Sequence, residues 1–139
     1  MMNAEQKAYA LARAAYQLAK DEVKRYEQDF IVRENVRNLD GSVPDQIWAL
    51  DTEFDEDYFD ALCDKLDSED AFKALCDAET EAYKNLQAAE DRLIDFSLSL
   101  PMPESVRRTL QEHRKEYKIR DRLIDLAFRL DTRTVKART

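Results

Sequence analysis

The sequence predicts an all-α protein, an elongated up-down helical bundle of three long helices plus one short acidic helix, and three observations carry that expectation. First, the 139 residues include one glycine, Gly41, and three prolines, too few to build hairpin turns or glycine-rich loops. Second, apolar residues recur at alternating steps of three and four over long stretches, which is the period of a helix face. Third, no apolar run approaches the roughly 18 residues that would cross a bilayer. A chain of this length buries a core without disulfides or metals, so residues 1–139 are read as a single helical domain.

The first helix is expected over about residues 3–37. Tyr9, Ala12, Tyr16, Ala19, Val23, Tyr26 and Phe30 form its stripe, widened by Ala8, Leu11, Ala15 and Leu18. The three tyrosines keep the spacing of a buried face, which favours core-edge packing over a stacking platform for bases. Asp40-Gly41-Ser42 is a turn signal, because Gly41 takes positive φ without cost, and it places the helix end near Asn38. Pro44 and Asp45 then open a short turn through Ile47, Trp48 and Leu50. A lone tryptophan between apolar neighbours is expected to plug the core, with an exposed binding anchor as the alternative.

Thr52 is the expected cap of an acidic helix over about residues 53–66. Ser68 is expected to cap a second long helix over about residues 69–100, carrying Phe72, Leu75, Ala82, Leu86, Ala89, Leu93, Phe96 and Leu100, with Glu79 interrupting the stripe. Leu100-Pro101-Met102-Pro103 stops that helix, and Pro103 opens a last one to about residue 131. Its stripe of Val106, Leu110, His113 and Tyr117 resumes at Ile119, Leu123, Leu126 and Leu130, so the helix is expected to bend or change neighbour where the spacing drops to two. Residues 132–139 have no apolar pattern and read as a frayed basic tail. The pentapeptide DRLID occurs at Asp91–Asp95 and Asp121–Asp125, but the residues upstream do not match, which argues against an internal duplication.

Charge is distributed unevenly about a net value of −8. Residues 40–91 hold 17 acidic and 3 basic groups, while residues 106–139 hold 11 basic and 5 acidic ones. Within the acidic middle, Glu53, Asp57, Asp60, Asp64 and Asp67 follow at steps of four, three, four and three and form one ridge on a helix, with Asp51, Asp55, Glu56, Glu69 and Asp70 around it. Phe54, Tyr58, Leu62 and Leu66 lie on the opposite side. Five carboxylates over about 21 Å approximate the charge spacing of a nucleic-acid strand. At the basic end, Arg108, Lys115, Arg122, Arg129 and Lys136 recur every seven residues, with Arg107, Arg114 and Lys118 nearby. A solvated face balanced by Glu116–Arg120 and Asp125–Arg129 pairs is favoured there over nucleic-acid binding, since the net charge would repel a duplex.

Enzyme signatures fail on residue supply. One glycine cannot make a phosphate-cradling loop or a dinucleotide fingerprint. One histidine, His113, cannot furnish a di-iron site, and its place on the apolar stripe suggests a core or rim residue. Asp51, Glu53, Asp55 and Asp57 alternate like calcium ligands, but Glu56 and Leu62 stand where the calcium loop requires glycine and glutamate. Cys63 and Cys76 lack metal or redox spacing and read as reduced, buried thiols.

The expectation is therefore a non-enzymatic, soluble, cytoplasmic interaction protein without cofactor or metal. Its acidic ridge would engage a protein partner with a basic surface, such as a nucleic-acid-handling protein, by analogy with DNA-mimic and anti-CRISPR inhibitors in size, charge and helicity alone. The alternatives are a self-associating coiled-coil scaffold, forming a homo-oligomer, and a nucleic-acid binder using the basic stripe.

Overall fold

The computed structural model describes residues 2–51 and 55–138, with side chains up to residue 129. The fold is all-helical, with five α-helices and no strand among the described residues. The helices are α1 (Ala4–Arg33), α2 (Glu56–Asp67), α3 (Asp70–Leu98), α4 (Glu104–Glu112) and α5 (Tyr117–Arg138), with a 3-10 turn at Ile47–Ala49 between α1 and α2. They divide into two compact units, one of Tyr16–Ala82 and one of the chain on either side of it. Helices α1 and α3 each contribute a segment to both units, and α1 packs with α3 and α3 with α5 as in a helical bundle.

A reciprocal cap starts α1. Asn3 Oδ1 accepts the Gln6 amide at 2.8 Å, and Gln6 Oε1 accepts the Asn3 amide at 2.7 Å. The helix stops at Arg33, four residues before the expected end, because Asn35 takes a left-handed conformation with φ of 53°. Val36 then donates to Ile31 O and Asn35 to Val32 O, and the fully buried Val36 and Ile31 share one apolar cluster. These are the bonds and the apolar contact of a Schellman stop. Gly41 does take positive φ, at 86°, within a turn closed by Asp40 Oδ1 accepting the Ser42 amide at 2.9 Å.

The core of the Tyr16–Ala82 unit joins Phe30, Ile31 and Val36 to Ile47, Leu62 and Leu66, with Tyr26, Phe59, Cys63 and Phe72 packed against them. The α1 stripe faces inward as expected, but its proposed widening does not hold, since Leu11, Ala15 and Leu18 are exposed. Trp48 is also exposed, at 75%, and does not plug the core. The 3-10 turn is the reason. Three residues per turn align positions three apart, so Ile47 and Leu50 point to the core together and Trp48 points away.

In the other unit, Ile94, Leu98 and Leu123 form the centre, with Leu110, Ile119 and Ile124 around them. Two buried polar side chains there are satisfied by α5 carbonyls: Gln6 Nε2 donates to Ala127 O at 2.8 Å and Ser97 Oγ to Leu123 O at 2.5 Å. The expected last helix is two helices, broken over residues 113–116, just before the Tyr117–Ile119 step where a bend is expected. His113 ends α4 in an exposed position, and Val106 and Tyr117 are exposed as well, so of the first part of that stripe only Leu110 packs inward. Helix α5 continues to Arg138, through the residues expected to fray.

Candidate functional site: the acidic surface of α2

Helix α2 begins one turn later than expected, with Asp55 as its cap, accepting the Tyr58 amide at 3.0 Å. Thr52, the expected cap, and Glu53, the first ridge residue, lie outside the described residues, as does Phe54. Ser68 closes α2 instead of opening α3, its hydroxyl donating to Lys65 O at 2.7 Å. Leu62 and Leu66 are buried, and Phe59 and Cys63 are half-buried, so α2 is held by its apolar face. Each buried leucine contributes roughly 1.5–3 kcal/mol, whereas each like-charge pair one turn apart costs roughly 0.2–0.5 kcal/mol. Burial wins, and the repulsion persists as a tolerated cost.

Asp57, Asp60, Asp64 and Asp67 are all exposed, and none forms an ion pair among the described residues. Asp51, Asp55, Glu56 and Asp70 are exposed beside them. Lys65, the cation on this helix, is drawn to Glu34 Oε2 at 2.7 Å. Glu69 differs from the rest. It is partly buried, accepts from Arg33 at 2.5 and 2.6 Å and from the Tyr26 hydroxyl at 2.8 Å, and the Arg33 guanidinium, followed by that hydroxyl, holds its carboxyl below the usual range. It is a structural clamp in place of a free ridge member. Burial raises the Cys63 thiol pKa, and the carboxylates of Asp67, Asp60 and Asp64 raise it further. Both cysteines are unbonded and half-buried.

The basic residues near the C-terminus are used differently. Arg107 donates to Leu98 O at 2.8 Å and Leu100 O at 3.1 Å, closing the end of α3, and pairs with Glu104. Arg114 pairs with Asp95 at 2.7 Å, and Arg120 with Glu90 at 2.8 Å and Asp91 at 3.0 Å. The expected Glu116–Arg120 pair is thus replaced, and Glu116 instead meets His113 Nδ1 at 2.7 Å, raising the histidine pKa. The expected Asp125–Arg129 pair is present at 3.2 Å. Of the seven-residue stripe, the α4–α5 break puts Arg108 on a different helix from Arg122 and Arg129, with Lys115 in the break itself. The side chain of Lys136 lies outside the described residues. A cleft of about 890 Å³ between the paired residues of α3 and the start of α5 has Glu90, Asp91, Arg114, Arg120, Tyr83 and Tyr117 among its lining residues.

Among the described residues, no three histidine, cysteine or carboxylate side chains converge as a metal site, and no helix is long and apolar enough to cross a membrane. No family model matches the chain, and neither a curated protein nor a solved structure matches it.

Proposed function

We propose that the chain is a non-enzymatic interaction protein that binds a basic surface of a partner, of the kind nucleic-acid-handling proteins present, through the carboxylates of α2. The observation that carries this reading is the absence of any ion-pair partner for Asp57, Asp60, Asp64 and Asp67 among the described residues, although they lie exposed on one helix. Their field is uncancelled locally and available to steer a cationic surface. The test is capture of partners from lysate of the source cells at low and moderate salt, with duplex DNA as competitor. A nucleic-acid-binding protein that is displaced by DNA and lost on joint replacement of the four aspartates by asparagine supports the reading. Recovery of partners unaffected by that replacement overturns it.

A second reading, self-association through α1, is favoured by the exposed Leu11 and Leu18, which lie two turns apart on that helix. Sedimentation of the wild type against the Leu11→Gln, Leu18→Gln variant separates the two readings. A concentration-dependent oligomer lost in the variant favours self-association, and a monomer in both removes it.

A further inference from the structure

Between Arg37 and Lys65 the chain has no basic residue and nine carboxylates, and in the middle of that segment stands its single tryptophan. Trp48 is 75% exposed, and the 3-10 turn that turns it outward is anchored on both sides. Ile47 is buried, and its amide donates to Glu27 Oε1 at 2.7 Å. The chain beyond is tied back by Asp51 N to Asn38 Oδ1 at 3.0 Å and by Leu39 N to Asp51 O at 3.2 Å. The turn packs against α2, so the ring and the free carboxylates belong to one region of the Tyr16–Ala82 unit. Asp45, Asp51 and Asp55 are exposed in the sequence on either side of it.

A tryptophan held in water on a fixed backbone offers a large apolar contact at little ordering cost, and tryptophan is the residue type most enriched among interface hot spots. Its surroundings specify what can cover it. The exposed carboxylates of the same segment and of α2 disfavour an acidic or uncharged apolar surface, which would desolvate them without partners, and favour an apolar patch bordered by cations.

We propose that Trp48 is the apolar anchor of the acidic docking surface, and that its occupant is a cationic protein surface with an apolar patch at its centre, bordered by lysine or arginine. This inference rests on the acidic-surface reading above and adds the contact that gives that surface affinity beyond charge.

Two synthetic peptides with equal numbers of lysines test it, one with serine at the remaining positions and one with leucine placed to form an apolar helical face. Because Trp48 is the only tryptophan, its emission reports on this position alone. Both peptides are expected to bind the wild type at low salt. The leucine peptide shifts Trp48 emission to shorter wavelength and binds about tenfold more tightly, equivalent to about 1.4 kcal/mol. Trp48→Ala removes that gain and leaves the serine peptide unaffected, while Val32→Thr, at another exposed apolar position of the same unit, changes neither. An unshifted emission, or a leucine gain that survives Trp48→Ala, overturns the proposal. If the serine peptide binds equally after replacement of the four aspartates, the acidic-surface reading fails instead, whatever Trp48 does.

Discussion

Along α2 four exposed aspartates form no ion pair among the described residues, whereas from α4 to α5 the guanidiniums of Arg107, Arg114, Arg120 and Arg129 are tied to carboxylates or carbonyls. The first arrangement makes no ion pair among the described residues and leaves a field pointing outward. The second consumes its charge internally, where Arg107 closes the end of α3 and Arg120 holds α5 to Glu90 and Asp91. An array of one charge sign therefore has opposite meanings according to whether its counter-charges lie within reach. The described cations left without an ion pair there, Arg108, Lys115, Lys118 and Arg122, make a thin basis for holding a nucleic-acid backbone.

The contrast is most exposed to test at Arg120. Its side chain and that of Glu90 are each about one-fifth exposed, and removing the guanidinium strands a partly buried carboxylate. Arg120→Met is expected to destabilise the fold by about 2 kcal/mol, the range for charge-assisted bonds, as read from urea unfolding followed by circular dichroism. An unchanged midpoint would mean that the arginines are as free as the aspartates.

The opposite sign is expected on α2. Replacing Asp57, Asp60, Asp64 and Asp67 together by asparagine relieves repulsion along the helix and raises stability by up to about 1 kcal/mol at low ionic strength. The gain should shrink as salt screens the wild type. A loss of stability on replacement would show that these carboxylates serve the fold.

Among the acids beside α2, Glu69 behaves like the basic end, tied to Arg33 and Tyr26. Its folded pKa is lowered, first by Arg33 and then by Tyr26. The stabilisation is therefore complete above the unfolded value of about 4.3, and it is lost as pH falls through the lower folded value. Glu69→Gln should flatten the acid limb of a stability-against-pH curve followed by circular dichroism. The smallest effect is chemical. Alkylation of Cys63 should rise with pH only above the ordinary thiol range, and joint replacement of Asp60, Asp64 and Asp67 by asparagine should move that rise to lower pH, measured on a Cys76→Ser background.

Much of the fold was legible in the helical spacing. The inward stripe of α1, the buried Leu62 and Leu66, the proline stop after α3 and the irregularity in the last helix all follow from residues visible in the chain. What escaped depended on single backbone conformations. Asn35 ended α1 in the left-handed region that a short polar side chain tolerates, while the more obvious Gly41 served a later turn. Trp48 was placed by the phase of a 3-10 turn, which apolar neighbours alone do not reveal. The Asn3–Gln6 cap was present as a readable four-residue signature. In the candidate site, spacing gave the ridge, but the separation of Glu69 from its free neighbours required Arg33 and Tyr26, distant in sequence. The same holds for Arg120, paired 30 residues away.

The segment from Asn38 to Asp51 is mostly non-helical, yet the amides of Asn38, Leu39, Ser42, Ile47 and Asp51 all find acceptors inside the molecule. Such protons should exchange with deuterated solvent more slowly than those of an ordinary surface loop. A ligand seated there would then leave its mark chiefly in a negative heat-capacity change from covering the indole, with little new backbone protection, since the frame beneath is already set.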